Sequence, residues 1–168
     1  MATELNAPRR ATLSFMFSHP AHLLSLGFGS GLSRLMPGTF GTLFGWVVYA
    51  LLAPHVPTVA WLVGVALGFV LGVYVTDYTA RRLLTPDPGC VVWDEIVAIW
   101  LVLALADARG FMQQFAAFLV FRFFDMVKPP PIRYFDRHVK GGLGIMIDDI
   151  VAALMSLLLI ALWRVVTR

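Results

Sequence analysis

The chain has 168 residues, 59% of them hydrophobic and only 14% charged, with a net charge of +3. A soluble domain of this length carries about a quarter charged residues, so the composition predicts one integral-membrane domain over 1–168. The small, dispersed positive charge suits anionic lipid and argues against a nucleic-acid partner. A single cysteine, Cys90, excludes an internal disulfide and a multi-cysteine zinc site.

Residues 1–40 are mixed and glycine-rich, without the charged start, apolar core and small-residue cleavage site of a removable signal peptide. The stretch 11–26 is apolar but interrupted, which predicts an interfacial helix. Apolar segments follow at 41–53, 58–75, 90–106, 110–124 and 145–166. A spanning helix needs roughly 17–25 residues, so the first and fourth are short, and 41–53 is expected to be re-entrant or half-inserted. The fold class expected is therefore all-α, a multi-pass membrane helix bundle of four to five membrane segments with an N-terminal interfacial helix. Gly64, Gly68 and Gly72 recur every fourth residue and predict a smooth face for close helix packing. His19, His22, His55 and His138 have no metal-ligand spacing and are read as surface or interface residues.

Five segments sort the basic residues by side. Arg9, Arg10, Arg34, Arg81, Arg82, Lys128, Arg133, Arg137 and Lys140 fall on one side, Arg109, Arg164 and Arg168 on the other, and Arg122 within a segment. The positive-inside rule makes the first side cytoplasmic. Asp94 and Glu95 then lie at the cytoplasmic start of the third segment, Asp125 at the cytoplasmic end of the fourth, and Asp148 and Asp149 at the cytoplasmic start of the fifth. At ~1.5 Å rise per residue all five acids belong to one layer.

A carboxylate at such a depth needs a partner, a metal or water, and acids delivered to one depth by three segments point to a cation site. Hard oxygen ligands without a His–Cys cluster favour Mg²⁺. Arg122 and Asp125, and Asp125 and Lys128, are spaced i, i+3 and share a helix face. Adjacent acids diverge by ~100° on a helix, so one of each pair can point inward while the other braces it.

A metal held partly by phosphate calls for further anion donors. Gly27–Gly31, with Gly29 and Ser30, offers small residues whose backbone can approach an anion. Pro37–Thr42, with Gly38, Thr39 and Thr42, offers hydroxyls and the free N–H groups of a helix start. The basic stretch after Lys128 reads first as a positive-inside loop attracted to lipid. Pro129–Pro131 stiffens its start, which makes Arg133 and Asp136 plausible positioned site residues. A nucleotide-binding glycine–lysine loop and a histidine-dependent phosphatase pattern are absent. Carboxylate–metal phosphate chemistry at a membrane surface is the reading left. Its rival is a small cation transporter or channel, which would place acids through the membrane depth.

Three blocks carry a family resemblance: GFGSGL with PGTFGT, then VVWDEIVAIW, then FRFFDMVKPPPIRYFDRHVKGGLGIMIDDIVA. From about Ser18 to Ala153 the chain resembles bacterial phosphatidylglycerophosphatase A, while 1–17 and 154–168 carry little of the likeness. The resemblance implies Mg²⁺-dependent hydrolysis of the phosphate monoester of phosphatidylglycerophosphate to phosphatidylglycerol. It implies a place in phospholipid biosynthesis, in the bacterial inner membrane with the site facing the cytosol. It picks out Asp94, Glu95, Arg122, Asp125, Lys128, Arg133, Asp136, Asp148 and Asp149. Asp94, Glu95, Asp148 and Asp149 are the expected metal ligands, and Arg122, Lys128 and Arg133 the expected stabilisers of phosphoryl charge. Asp125 is left as a further ligand, a general acid–base or a nucleophile. Arg34 departs from the family pattern, which favours Pro there. The oligomeric state stays open.

Overall fold

A computed structural model describes residues 10–167, so Arg9 and Arg168 of the charge count lie outside the described residues. The described chain is all-helical, without strands: α1 (Leu13–Phe17), α2 (Pro20–Ser25), a 3-10 segment (Gly27–Leu32), α3 (Pro37–Leu52), α4 (Thr58–Leu83), α5 (Trp93–Leu105), α6 (Phe111–Val127), α7 (Ile132–His138) and α8 (Gly141–Val166).

The expected helix over 11–26 is two short ones. Pro20 disfavours helical backbone in the residue before it, and His19 is extended at φ −158°. Its Nδ1 caps the new start by accepting from Ala21 N at 3.1 Å. His22 is a second departure. It is 4% exposed rather than at the surface, with Nδ1 3.0 Å from Thr79 Oγ1. That contact pins α2 to α4.

Two helices, α4 and α8, each of 26 residues, are long and apolar enough to cross a membrane. Along α4 the exposed Val59, Val63, Leu67 and Val70 form an apolar outer stripe, matched on α8 by Leu154, Leu158 and Leu162. Exposed apolar stripes of this length suit contact with lipid and suggest membrane association. α4 continues past the expected end at 75 to Leu83. Its last turns are polar and carry the i, i+4 pair Asp77–Arg81 at 2.7 Å.

α5 is the central helix. Ile96, Val97, Ala98, Ile99, Val102 and Leu103 are fully buried. Its indoles fasten it to both neighbours: Trp93 Nε1 donates to Gly68 O at 2.9 Å on α4, and Trp100 Nε1 donates to Gly45 O at 2.9 Å on α3. Gly68 and Gly72 do form a packed face, against Val97, Trp93 and Met146, but Gly64 faces open space. α8 begins at Gly141, ahead of the expected 145, and its second residue, Gly142, lies directly on the Val73 carbonyl where no side chain fits. This close approach fixes the end of α8 that bears Asp148 and Asp149.

Candidate active site

Three helix ends converge on one cavity of about 180 Å³. Asp94 and Glu95 occupy the first turn of α5, held in place because Val92 N donates to Ser25 O at 2.8 Å. Asp125 lies in the last turn of α6, and Lys128 caps that helix in the left-handed conformation at φ 46°. Asp148 and Asp149 sit two turns into α8, and α7 contributes Asp136. These residues, with Asp87 from the α4–α5 loop and Lys140, line the cavity.

On the inner wall, carboxylate oxygens of Asp94, Glu95 and Asp149 all lie within 4.8 Å of one another. Asp94 Oδ1, Glu95 Oε2 and Asp149 Oδ2 are buried without a hydrogen-bond partner. Buried carboxylate oxygens in this state cost several kcal/mol unless a cation or a proton satisfies them. An all-oxygen set of this kind fits Mg²⁺. Asp148 does not join the trio. Its Oδ2 lies 2.5 Å from Lys128 Nζ, because consecutive residues on α8 point ~100° apart.

The outer wall is an ion-pair lattice. Arg122 Nη1 binds Asp125 Oδ2 directly, lies 3.9 Å from Glu95 Oε1 and donates to Thr42 Oγ1 at 3.4 Å. Thr42 in turn donates to Gly38 O at 2.8 Å, and a Cβ on Gly38 would collide with Glu95 Oε1. The start of α3 is thus a tight backing for Arg122 and Glu95. Thr39 Oγ1 nearby is buried without a partner. Lys128 Nζ lies 2.7 Å from Asp136 Oδ1 as well as 2.5 Å from Asp148. Burial disfavours its charge, but the two carboxylates outweigh that and raise its pKa.

Not every expected residue arrives. Gly29 and Ser30 line a separate shallow recess beside Arg34. The 3-10 segment is folded on itself there: Ser30 Oγ donates to Gly27 O at 2.8 Å, and Gly31 abuts the Cys90 carbonyl. Arg133 is exposed on α7 and does not line the cavity.

The model of the family described as phosphatidylglycerophosphatase A matches residues 23–164. The chain is 45% identical over 139 residues to phosphatidylglycerophosphatase A of Escherichia coli K12, covering 83% of this chain and 80% of that protein. The chain belongs to the phosphatidylglycerophosphatase A family. The Haemophilus influenzae phosphatidylglycerophosphatase A is 42% identical over 142 residues, 84% of this chain and 87% of the relative. A Bacteroides thetaiotaomicron relative named a putative phosphatidylinositol-3-phosphatase is 39% identical over 147 residues, 84% of this chain and 92% of its own. No solved structure matches the chain.

In this family member one acid on the cavity, Asp87, is not among the residues singled out from the sequence. It lies in Pro86-Asp87-Pro88, and an Asp between prolines reads as a turn. The available signal is position: the turn leads directly into the Asp94–Glu95 helix, so its acid starts on the cavity side.

Proposed function

We propose that the chain hydrolyses the phosphate monoester of phosphatidylglycerophosphate to phosphatidylglycerol and phosphate, a step of phospholipid biosynthesis. The observation that carries this reading is the trio of unpartnered carboxylates within 4.8 Å, set beside Arg122 and Lys128 in a chain of this family. Asp94, Glu95 and Asp149 would hold Mg²⁺, which when bound would supply Lewis-acid polarisation of a phosphoryl oxygen and a more acidic water. Arg122 is held rigid by Asp125 and Thr42, so its guanidinium is preorganised for charge developing on phosphoryl oxygens. Lys128 offers a cation on the cavity lining itself, which Arg122 adjoins through Asp125. Asp125, on the cavity and paired with Arg122, is the candidate to move the proton of the attacking or leaving oxygen.

The setting we propose is the bacterial inner membrane, with α4 and α8 crossing and the shorter α3, α5 and α6 completing a multi-pass bundle. The cavity lies at the end that carries the surplus of Lys and Arg, which supports a cytosolic site. The diacyl chains would stay in lipid while the phosphate enters the polar layer. The acids stand in one layer rather than along a path, which disfavours cation transport. The Bacteroides relative's printed name concerns another lipid phosphate, so headgroup preference belongs in the assay.

Purified protein in mixed micelles is expected to release phosphate from phosphatidylglycerophosphate with Mg²⁺ and to stop when the ion is chelated. No release from a folded sample with any divalent ion overturns the assignment. Cation flux in vesicles without phosphate release would restore transport.

A further inference from the structure

Seven carboxylates line the cavity, against Lys128, Lys140 and the Arg122 that rests on Asp125. Counted with every carboxylate ionised, four negative charges are unopposed before substrate arrives. A phosphomonoester brings about −1.5 to −2 more. One divalent ion on the inner trio removes half of the excess, and the substrate restores it. A phosphate would still meet a wall of its own sign in a site of low dielectric.

The excess is not spread evenly. Asp148 is 6% exposed and lines the cavity. Its Oδ2 is engaged by Lys128, but its Oδ1 is buried with no partner. Lys128 is a single ammonium divided between Asp136 and Asp148, so it leaves that pair one charge short. On the same cavity, Asp87 presents an exposed carboxylate from the α4–α5 loop. Neither Asp148 nor Asp87 belongs to the inner trio. Mg²⁺ is commonly held by one or two carboxylates together with substrate phosphate and water, and the cavity of about 180 Å³ equals roughly six water volumes.

We propose that the cavity takes two divalent cations, the second held by Asp148 Oδ1 and Asp87 beside the inner Asp94–Glu95–Asp149 site. Two bound ions would cancel that formal charge, and the phosphomonoester would then enter a neutral site where its oxygens could add to the carboxylates of Asp148 and Asp87 as ligands. Asp87 becomes a site residue. This rests on the reading of the cavity as a divalent-cation phosphatase centre.

Mn²⁺ binding to the full-length protein in detergent micelles, counted by electron paramagnetic resonance, tests it without relying on turnover. The expected result is two Mn²⁺ per chain with the spectrum of a spin-coupled pair, as ions within about 4 Å give. Asp148→Asn should bind one uncoupled ion. Asp87→Asn, a change on an exposed loop that leaves the helices packed, should weaken only the second ion, by tenfold or more. One ion per wild-type chain with phosphate release intact overturns the second site and leaves the phosphatase reading standing; protonation of a carboxyl would then remove the excess charge. Two ions persisting in both variants overturn the proposed ligands. No ion and no phosphate release overturn both readings together.

Discussion

Lys128 Nζ lies 2.5 Å from Asp148 Oδ2 and ties the end of α6 to α8. The same ammonium holds Asp136 of α7 at 2.7 Å, so one side chain fixes three elements around the cavity. Lys128→Met would leave two carboxylates facing each other without a cation. Breaking a fully buried pair costs about 3–5 kcal/mol; Lys128 is 28% exposed, and solvent screening lowers the expected loss to about 1–3 kcal/mol. Thermal unfolding in micelles measures that loss. Phosphate release should fall by about 10²–10³, and an undiminished rate removes Lys128 from the site.

Thr42 holds Arg122 from behind rather than touching the ligand space. Its hydroxyl joins Gly38 O at 2.8 Å to Arg122 Nη1 at 3.4 Å. Thr42→Val keeps the shape and removes the joint. A hydrogen bond to a charged group contributes about 1.5–3 kcal/mol, and this long one belongs at the lower end. The expected effect is therefore about a tenfold fall in kcat with KM nearly unchanged. Thr42→Ser should recover most of it. A rise in KM alone would instead make Thr42 a ligand contact.

The difference between what was legible and what was not follows from what spacing encodes. Depth is a one-dimensional quantity, so counting residues from each segment's end sufficed to put Asp94, Glu95, Asp125, Asp148 and Asp149 in one layer, and all five line the cavity. Azimuth is different. Adjacent residues diverge by ~100°, but which of Asp148 and Asp149 meets the α5 acids depends on how α8 is rotated. That rotation is set by Gly142 against Val73 and Gly72 against Met146, contacts no spacing reveals. Glycine is equally ambiguous. Gly38 makes room for Glu95, whereas Gly29 serves a folded 3-10 segment away from the cavity. His22 was misplaced because its partner, Thr79, is 57 residues away.

Two glycines that look alike in sequence should respond to alanine in opposite directions. A Cβ on Gly142 would strike the Val73 carbonyl, and that backbone cannot swing aside. Gly142→Ala should cost about 1–3 kcal/mol, as overpacking does, and lower activity by shifting the α8 acids. Around Gly64 there is nothing within 4 Å. Gly64→Ala should be neutral to stabilising by up to about 1 kcal/mol through helix propensity. Thermal unfolding of the two variants side by side decides the matter. Equal destabilisation would contradict the packing of α4 described above.

The attachment of α1 and α2 to α4 should weaken in mild acid. His22 stacks on Phe15 at a centroid distance of 4.1 Å and meets Thr79 Oγ1 at 3.0 Å. Burial, and then the nearby positive charges of His19 and Arg82, lower its pKa below 6.5. Docking therefore holds the ring neutral, while the undocked ring titrates at its ordinary value of about 6.5. Above pH 6.5 both states are neutral and docking is at full strength. As pH falls below 6.5 the undocked state takes up a proton first, and docking loses up to tenfold per pH unit until the lowered pKa is passed. Hydrogen exchange of backbone amides over residues 13–25, compared at about pH 7.5 and about pH 5.5 after correction for intrinsic rates, should show the added opening. His22→Phe keeps the stacked ring and removes the proton, so its opening should no longer depend on pH through His22. A pH dependence that survives the substitution unchanged would remove His22 as its source.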